Sequence, residues 1–210
     1  MKLINKEIEE YAKSFTSEES GTLKELVRVS ESKLEYTDML SGPQVGMLLK
    51  ILVQISGAKR ILEVGTFTGY SAISMADALP DDGSLITVEM NGQYQNISKP
   101  FFERKPYQKK IRQKMGNALE VITTISGTFD LIFLDADKIS YPTYYEMLKP
   151  KLKTGGIFVI DNVLWGGDVL RPKDEKSRAI HKLSKMIRDD KDVDQVMIPL
   201  RDGITIARKR

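Results

Sequence analysis

The sequence predicts a doubly wound α/β fold whose sheet has seven strands and is mostly parallel. From residue 59 onward, short apolar runs alternate with amphipathic segments, which is typical of repeated βα units. Two of the runs, residues 129–134 and 156–160, are apolar on both faces, as buried central strands are. The last two runs are separated only by Arg201-Asp202-Gly203, and this Asp-Gly pair predicts an antiparallel hairpin.

The part of the chain before residue 59 is predicted to be helical. Two sets of apolar residues recur at helical spacing: Ile4, Ile8, Tyr11 and Phe15, and then Val45, Leu48, Leu49, Leu52 and Val53. Between them, Ser41-Gly42-Pro43 predicts a turn that leads into a helix. We expect residues 1–55 to form a helical segment that packs on the core.

Five strands alternating with helices follow, and a final pair of strands closes the sheet. The strands are predicted at residues 60–64, 84–89, 111–115, 129–135, 157–161, 194–200 and 204–208. The helices are predicted at residues 70–79, 91–105, 118–125, 142–152 and 174–190, with Pro100 kinking or shortening the second of them. Because no linker or repeat divides the 210 residues, we expect one domain over residues 1–210.

Composition excludes several kinds of site. The chain has no cysteine, which excludes disulfides, thiolate nucleophiles and cysteine zinc sites. Its one histidine, His181, lies in a polar helical stretch, so a histidine-rich metal site is excluded and a Ser-His-Asp triad is not favoured. The net charge of +3 is too small to indicate nucleic acid by itself. With no apolar targeting segment and no run of 18 apolar residues, we expect a soluble, cytoplasmic protein without membrane contact.

Two of the predicted central strands end on aspartate. Asp135 ends one, and Asp161, followed directly by Asn162, ends the other. Because ligands bind at the carboxyl ends of parallel strands, these three side chains are expected at one edge of the sheet. Each aspartate could instead cap the next helix. Two of them beside an asparagine favour a cation site, with Mg²⁺ as the expected ion and Mn²⁺ or Ca²⁺ as alternatives.

A glycine loop follows the first strand. It reads Glu63-Val64-Gly65-Thr66-Phe67-Thr68-Gly69-Tyr70-Ser71, and its spacing differs from the dinucleotide fingerprint G-x-G-x-x-G. A carboxylate at Glu63 would repel a pyrophosphate but would suit a ligand with an ammonium or sulfonium group, which indicates S-adenosylmethionine. Glu89, at the end of the second strand, can accept hydrogen bonds from both ribose hydroxyls. The alternative for such a loop is tight packing alone.

Four motifs together resemble those of metal-dependent O-methyltransferases related to caffeoyl-coenzyme A and catechol O-methyltransferases. They are the Glu63 to Ser71 loop, Leu134-Asp135-Ala136-Asp137-Lys138, Asp161-Asn162-Val163-Leu164-Trp165-Gly166-Gly167, and Pro199-Leu200-Arg201-Asp202-Gly203-Ile204. The resemblance covers roughly residues 35–210. It implies a Rossmann-like fold, a homodimer, and methyl transfer from S-adenosylmethionine to the hydroxyl of a small phenol.

The resemblance also implies roles for individual residues. Metal ligands would be Asp135, Asp161 and Asn162, the set already suspected, and Asp135 with Lys138 would carry catalysis, Lys138 as general base. Contacts to S-adenosylmethionine would come from Met39, Ser41, Glu63, Gly65, Thr66, Ser71, Glu89, Ala118 and Asp137. Trp165 and Gly166 would belong to the substrate loop. Residues 1–34 are the part least matched.

Three questions stay open from the sequence. The acceptor could be a catechol-like phenol, an acyl-coenzyme A phenylpropanoid or a hydroxylated uridine in transfer RNA, because relatives of this type include a branch that modifies RNA. A different class, an NAD-type oxidoreductase on a similar sheet, is opposed by Glu63 and by the missing fingerprint. A non-catalytic binding module is opposed by the intact set Asp135, Asp161, Asn162 and Lys138.

Overall fold

A seven-stranded sheet forms the centre of the protein in this computed structural model, which describes residues 5–210. The strands are β1 (Arg60–Val64), β2 (Ser84–Glu89), β3 (Ile111–Met115), β4 (Phe129–Leu134), β5 (Leu152–Asp161), β6 (Val193–Ile198) and β7 (Ile204–Lys209). Their order is β3-β2-β1-β4-β5-β7-β6, in which the first five are parallel and β7 is antiparallel to both neighbours. The predicted fold class, a mostly parallel sheet with a C-terminal hairpin, is confirmed.

Helices precede the sheet and cover both of its faces. The described α-helices are α1 (Lys6–Ser14), α2 (Gly21–Lys33), α3 (Gly42–Ser56), α4 (Tyr70–Ala76), α5 (Gly92–Phe102), α6 (Tyr107–Lys110), α7 (Ala118–Thr124), α8 (Tyr141–Leu148) and α9 (Glu175–Asp189). Short 3₁₀ stretches occupy Lys149–Lys151 and Trp165–Leu170. Among the described helices, none is long and apolar enough to cross a membrane.

The core has two apolar layers, one on each face of the sheet. Ile61 of β1 points into the layer formed with α2, α3, α4 and α5, whereas Leu62 points into the layer formed with α7, α8 and α9. This alternation is the two-residue period of a strand, and because both faces are covered, β1 and β4 are buried along nearly their whole length. The edge of the sheet where β1 and β4 end is therefore rigidly supported from both sides.

The N-terminal helices differ from the sequence prediction in one element. Helix α2 was not predicted, because only a narrow stripe of it is apolar: its buried residues are Leu23, Leu26 and Ser30. Ser20 caps this helix by accepting a hydrogen bond from the Leu23 N–H. Helix α1 was predicted but buries none of its side chains, and Ile4 lies outside the described residues.

The largest boundary differences have local causes. The predicted helix at 142–152 ends at Leu148, because Pro150 cannot continue an α-helix and the chain continues as a 3₁₀ turn. β5 begins at Leu152 rather than Ile157, since Leu152 pairs with Phe129 across an irregularity next to Gly155. The predicted bounds of β1, β2 and β3 are confirmed.

The strand order reverses between β1 and β4, and the two chain segments that follow these strands lie in direct contact. Gly65 has φ of +100°, and a Cβ atom at this position would lie 1.8 Å from the carbonyl oxygen of Asp135. The Asp135 N–H in turn donates to the carbonyl oxygen of Val64, 2.9 Å away. Only glycine satisfies both the backbone conformation and this close approach. Ligands bind at such reversals in doubly wound sheets.

We expect Gly65→Ala to destabilise the protein by more than about 2 kcal/mol, because it adds a backbone clash to an unfavourable φ. Gly21→Ala is the matched control, since a Cβ atom at this position, the start of α2, would have nothing within 4 Å. Urea denaturation of both variants measures the difference. An effect of Gly65→Ala as small as that of Gly21→Ala would contradict the proposed close contact.

Candidate active site

A cavity of about 890 Å³ opens at the carboxyl ends of β1, β2, β4 and β5. This volume lies near the upper end of the range for small-molecule sites, about 300–1,000 Å³. The predicted site residues that line it are Met39, Ser41, Gly65, Thr66, Ser71, Glu89, Ala118, Asp135, Asp137, Lys138, Asp161, Asn162, Trp165 and Gly166. The fold thus collects residues from distant parts of the sequence in one place.

Glu63 is the predicted site residue that does not line the cavity. It lies fully buried beneath the glycine loop, where the hydroxyls of Ser71 and Thr87 donate hydrogen bonds to its carboxyl oxygens. Burial raises the pKa of Glu63 to about 8, and the nearby carboxylates of Asp135 and Glu89 contribute to the increase. In this structure Glu63 joins β1, β2 and the first turn of α4 instead of facing the ligand space.

Glu89 shapes the glycine loop from the end of β2. Its Oε2 atom accepts a hydrogen bond of 2.8 Å from the backbone N–H of Phe67, and Oε1 accepts from the N–H groups of Met90 and Asn91. Phe67 has φ of +50°, which is unfavourable for a bulky residue, so the bond to Glu89 helps to hold the loop in this conformation. Oε2 keeps a further lone pair for a ligand hydroxyl, whereas the two N–H groups already occupy both lone pairs of Oε1.

An aromatic pair missed by the sequence reasoning stands beside Glu89. The rings of Phe67 and Tyr94 pack edge to face with centroids 4.6 Å apart, and both residues line the cavity. Asn117, whose side chain caps α7, and Ala118 in the first turn of that helix line the cavity as well. Aromatic rings beside a few polar side chains are the usual lining of a small-molecule site.

The other end of the cavity holds the predicted cation ligands. Lys138 donates to Asp135 Oδ1 at 2.5 Å and to the Tyr141 hydroxyl at 2.8 Å, and Tyr141 donates to the carbonyl oxygen of Asp161 at 3.0 Å. Lys138, Tyr141 and Asp161 are buried. This chain of contacts joins the ends of β4 and β5. Tyr141 was not predicted as part of it.

Of the two aspartates, Asp161 is buried and Asp135 is partly exposed. Burial raises the pKa of Asp161, and the neighbouring Asp135 carboxylate contributes to the increase. Asp161 also accepts a hydrogen bond of 2.7 Å from the backbone N–H of Asn162, which is in the left-handed region at φ of +58°. Asparagine adopts this conformation more readily than most residues.

Asp135, Asp161 and Asn162 offer two carboxylates and one amide oxygen, which suit a hard cation such as Mg²⁺. In residues 5–210 no group of three or more His, Cys, Asp and Glu residues is arranged to hold a metal. The candidate set depends on the asparagine as its third member. Lys138 already pairs with Asp135, so the fit to a cation rests on the kind of oxygen donors that these residues offer.

Two loops form the walls around the cation end. Met39 and Ser41 come from the segment between α2 and α3, and Trp165 and Gly166 come from the loop after β5. Lys176 lies over the Trp165 ring, 5.7 Å from its centroid. Asp137 lines the cavity as well, but its carboxylate also accepts hydrogen bonds from Ser140 ahead of α8.

Comparison with known proteins identifies the family to which this chain belongs. A sequence profile described as O-methyltransferase matches residues 13–210, nearly the whole chain. The chain belongs to the O-methyltransferase family. Caffeoyl-CoA O-methyltransferase 1 of Arabidopsis thaliana is 34% identical, with 91% of this chain and 79% of that protein covered. Tricin synthase 2 of Oryza sativa subsp. japonica is 33% identical, with 91% and 70% covered.

Solved O-methyltransferase structures share the fold. TomG from Streptomyces achromogenes, in complex with SAM, has a TM-score of 0.89 at 28% identity and covers 97% of this chain and 96% of its own. An O-methyltransferase from Bacillus cereus in complex with SAH has a TM-score of 0.89 at 27% identity, with 97% of each chain covered. This O-methyltransferase is therefore an S-adenosylmethionine-dependent enzyme with a Rossmann-like fold, and the oxidoreductase and non-catalytic alternatives were wrong.

The raised pKa of Glu63 predicts a pH dependence of stability. Between about pH 5 and pH 8 the unfolded chain releases the Glu63 proton while the folded protein keeps it, so this residue lowers stability as the pH rises. Glu63→Gln removes the effect. We expect the unfolding free energy of Glu63→Gln minus that of the wild type to rise by at least about 1 kcal/mol across this range.

Chemical denaturation of the cofactor-free protein at several pH values tests this expectation. The control is Glu146→Gln, an exposed glutamate of α8, whose difference from the wild type should stay level. A difference in unfolding free energy between Glu63→Gln and the wild type that stays constant between pH 5 and pH 8 would contradict the prediction. It would mean that the buried carboxyl group is already ionised in the folded protein.

Proposed function

We propose that this enzyme is a divalent-cation-dependent O-methyltransferase that methylates a hydroxyl of a catechol-like or phenylpropanoid phenol. One observation carries the proposal. Asp135, Asp161 and Asn162 line the same cavity as the glycine loop, with Lys138 hydrogen-bonded to Asp135. The names of the plant relatives, caffeoyl-CoA O-methyltransferase and tricin synthase, support a phenolic acceptor.

The proposed cofactor side extends along the glycine loop. We assign Gly65, Thr66, Ser71 and Ala118 to S-adenosylmethionine, with Oε2 of Glu89 accepting from a ribose hydroxyl. The methionine end would lie against Met39 and Ser41, and Asp137 would complete the wall near the cation ligands. Glu63 supports this side from below, through Ser71 and Thr87.

The acceptor side needs a means of forming an oxyanion. A phenol with a pKa of about 10 is mostly protonated at neutral pH. Asp135, Asp161 and Asn162 would hold a divalent cation, Mg²⁺ in the first instance, and the bound cation would stabilise the acceptor oxyanion. Two N–H groups of Lys138 donate to Asp135 and Tyr141, so the remaining position on Nζ would hold the lone pair that takes the acceptor proton.

The transfer itself requires little covalent chemistry from the protein. The acceptor oxygen forms a bond to the methyl carbon, the carbon–sulfur bond of the sulfonium breaks with its electron pair passing to sulfur, and the acceptor proton is released. We assign that proton to the Nζ atom of Lys138, acting as general base. The remaining work is positioning, which can supply roughly 7–11 kcal/mol when two reactants are well aligned.

Removing either carboxylate should separate cation binding from cofactor binding. We expect Asp135→Asn and Asp161→Asn to lower turnover at least about 100-fold and to weaken Mn²⁺ binding, with affinity for S-adenosylhomocysteine within about threefold of wild type. Calorimetric titration with Mn²⁺ and with S-adenosylhomocysteine measures both. Asp81→Asn, in an exposed turn before β2, is the matched control. Full activity in excess chelator would exclude the cation requirement.

The acceptor class can be decided by a direct comparison. Methyl transfer is measured on catechols, caffeoyl thioesters and bulk transfer RNA, each with and without Mg²⁺. We expect turnover of the phenols to require Mg²⁺ and to change little with salt. Activity confined to transfer RNA, with affinity falling steeply as salt rises, would replace the phenol proposal with RNA modification.

A further inference from the structure

The turn between β6 and β7 contacts both walls of the cavity. It consists of Arg201, Asp202 and Gly203, of which Arg201 and Gly203 have φ values of +51° and +86°. A Cβ atom on Gly203 would lie 2.4 Å from Leu164, so the turn fits closely against the loop that follows β5. Sequence patterns placed these three residues in a hairpin, without a role in the site.

Arg201 reaches the wall formed by the segment between α2 and α3. Its Nη1 donates to the carbonyl oxygen of Leu40 at 2.7 Å and also to that of Ser41. These partners lie about 160 residues earlier in the chain. Within the segment itself, the Leu40 N–H donates to the carbonyl oxygen of Thr37 to form a turn. The guanidinium group thus joins an irregular segment to the sheet.

Asp202 reaches the opposite wall. Its Oδ1 atom accepts a hydrogen bond of 2.6 Å from the N–H of Gly166, and its carbonyl oxygen accepts one of 2.9 Å from the N–H of Leu164. The carbonyl oxygen of Gly203 accepts from Val163 at 3.1 Å. The loop that carries Asn162 and Trp165 is therefore held by the same turn as the segment that carries Met39.

We propose that Arg201 is a positioning residue that fixes the Met39–Ser41 wall against the site, so that cofactor affinity depends on it. This inference rests on the proposed placement of the cofactor's methionine end against Met39 and Ser41. Arginine suits the role because its planar fork can donate to adjacent oxygen atoms while remaining charged. Arg201 acts through the backbone of Leu40 and Ser41.

The test compares four proteins: wild type, Arg201→Ala, Arg201→Lys and Arg208→Ala. Arg208 is an exposed arginine of the same hairpin that does not line the cavity, which makes it the matched control. We expect Arg201→Ala to raise the dissociation constant for S-adenosylhomocysteine about 10-fold and KM for S-adenosylmethionine similarly, with a smaller effect on kcat. Arg201→Lys should recover part of the loss, because lysine keeps the charge and can donate to one carbonyl.

Hydrogen exchange shows whether the effect is local. In Arg201→Ala, the backbone amides of residues 35–41 should exchange faster than in the wild type. Those of β1 and β4 should exchange at the wild-type rate. Affinity of Arg201→Ala within twofold of wild type would overturn the proposal, as would an Arg201→Lys variant that folds but is as weak as Arg201→Ala. If Arg201→Ala does not fold, the test rests on Arg201→Lys. An Arg201→Lys variant with wild-type affinity for S-adenosylhomocysteine and wild-type exchange in residues 35–41 would also overturn the proposal.

Met39→Ala separates this inference from the proposed placement of the cofactor. If Met39→Ala leaves affinity for S-adenosylhomocysteine unchanged, the placement against Met39 is wrong. If Met39→Ala weakens binding and Arg201→Ala does not, the placement stands and the positioning role of Arg201 is wrong. Neither result depends on the cation or on the acceptor.

Discussion

The contact between Gly65 and the carbonyl oxygen of Asp135 brings together the two halves of the site. It occurs where β1 and β4 lie side by side and the strand order reverses, so the glycine loop and the aspartate edge emerge from neighbouring strands. Any side chain on residue 65 would force these two segments apart. The fold therefore places the glycine loop and the candidate cation edge within van der Waals distance, and it does so through the main chain.

Around this contact, buried acids have two different tasks. Glu63 lies below the loop, receives hydrogen bonds from Ser71 and Thr87, and has a pKa raised to about 8, so it serves the loop in a largely protonated form at neutral pH. Asp161 is also buried, but it lines the cavity beside a second carboxylate. A protonated acid can be satisfied by hydroxyl groups, whereas two neighbouring carboxylates with one lysine, Lys138, between cavity and core offer oxygen ligands that suit a further cation.

The outer parts of the site depend on contacts between distant segments. The irregular walls at Met39–Ser41 and Trp165–Gly166 have few hydrogen bonds of their own in the described structure, and the Arg201–Gly203 turn contacts both. If cofactor and acceptor bind as proposed, they share one support, and a change in this turn would affect the binding of both.

Sequence patterns predicted the sheet well because its central strands are buried on both faces and are therefore mostly apolar, with Glu63 and Thr87 as hydrogen-bonded exceptions. Asp135, Asp161 and Asn162 were recognised for the same reason, since they stand where apolar runs end. Thr87, Tyr141 and Arg201 were missed as site residues. Their roles arise from pairing across strands and from contacts over as many as 161 residues, which no local period encodes. Glu63 was recognised, but its carboxylate was expected to face the ligand, whereas it lies buried beneath the glycine loop.

The arrangement of cofactor and cation on either side of the Gly65–Asp135 contact is the central claim. A crystal structure of the wild-type enzyme with S-adenosylhomocysteine and Mn²⁺, with anomalous diffraction to locate the metal, tests it most directly. We predict one anomalous peak ligated by Asp135, Asp161 and Asn162, with the cofactor along Gly65, Ser71 and Glu89. An anomalous peak elsewhere, or none at saturating Mn²⁺ with the cofactor bound, would contradict it.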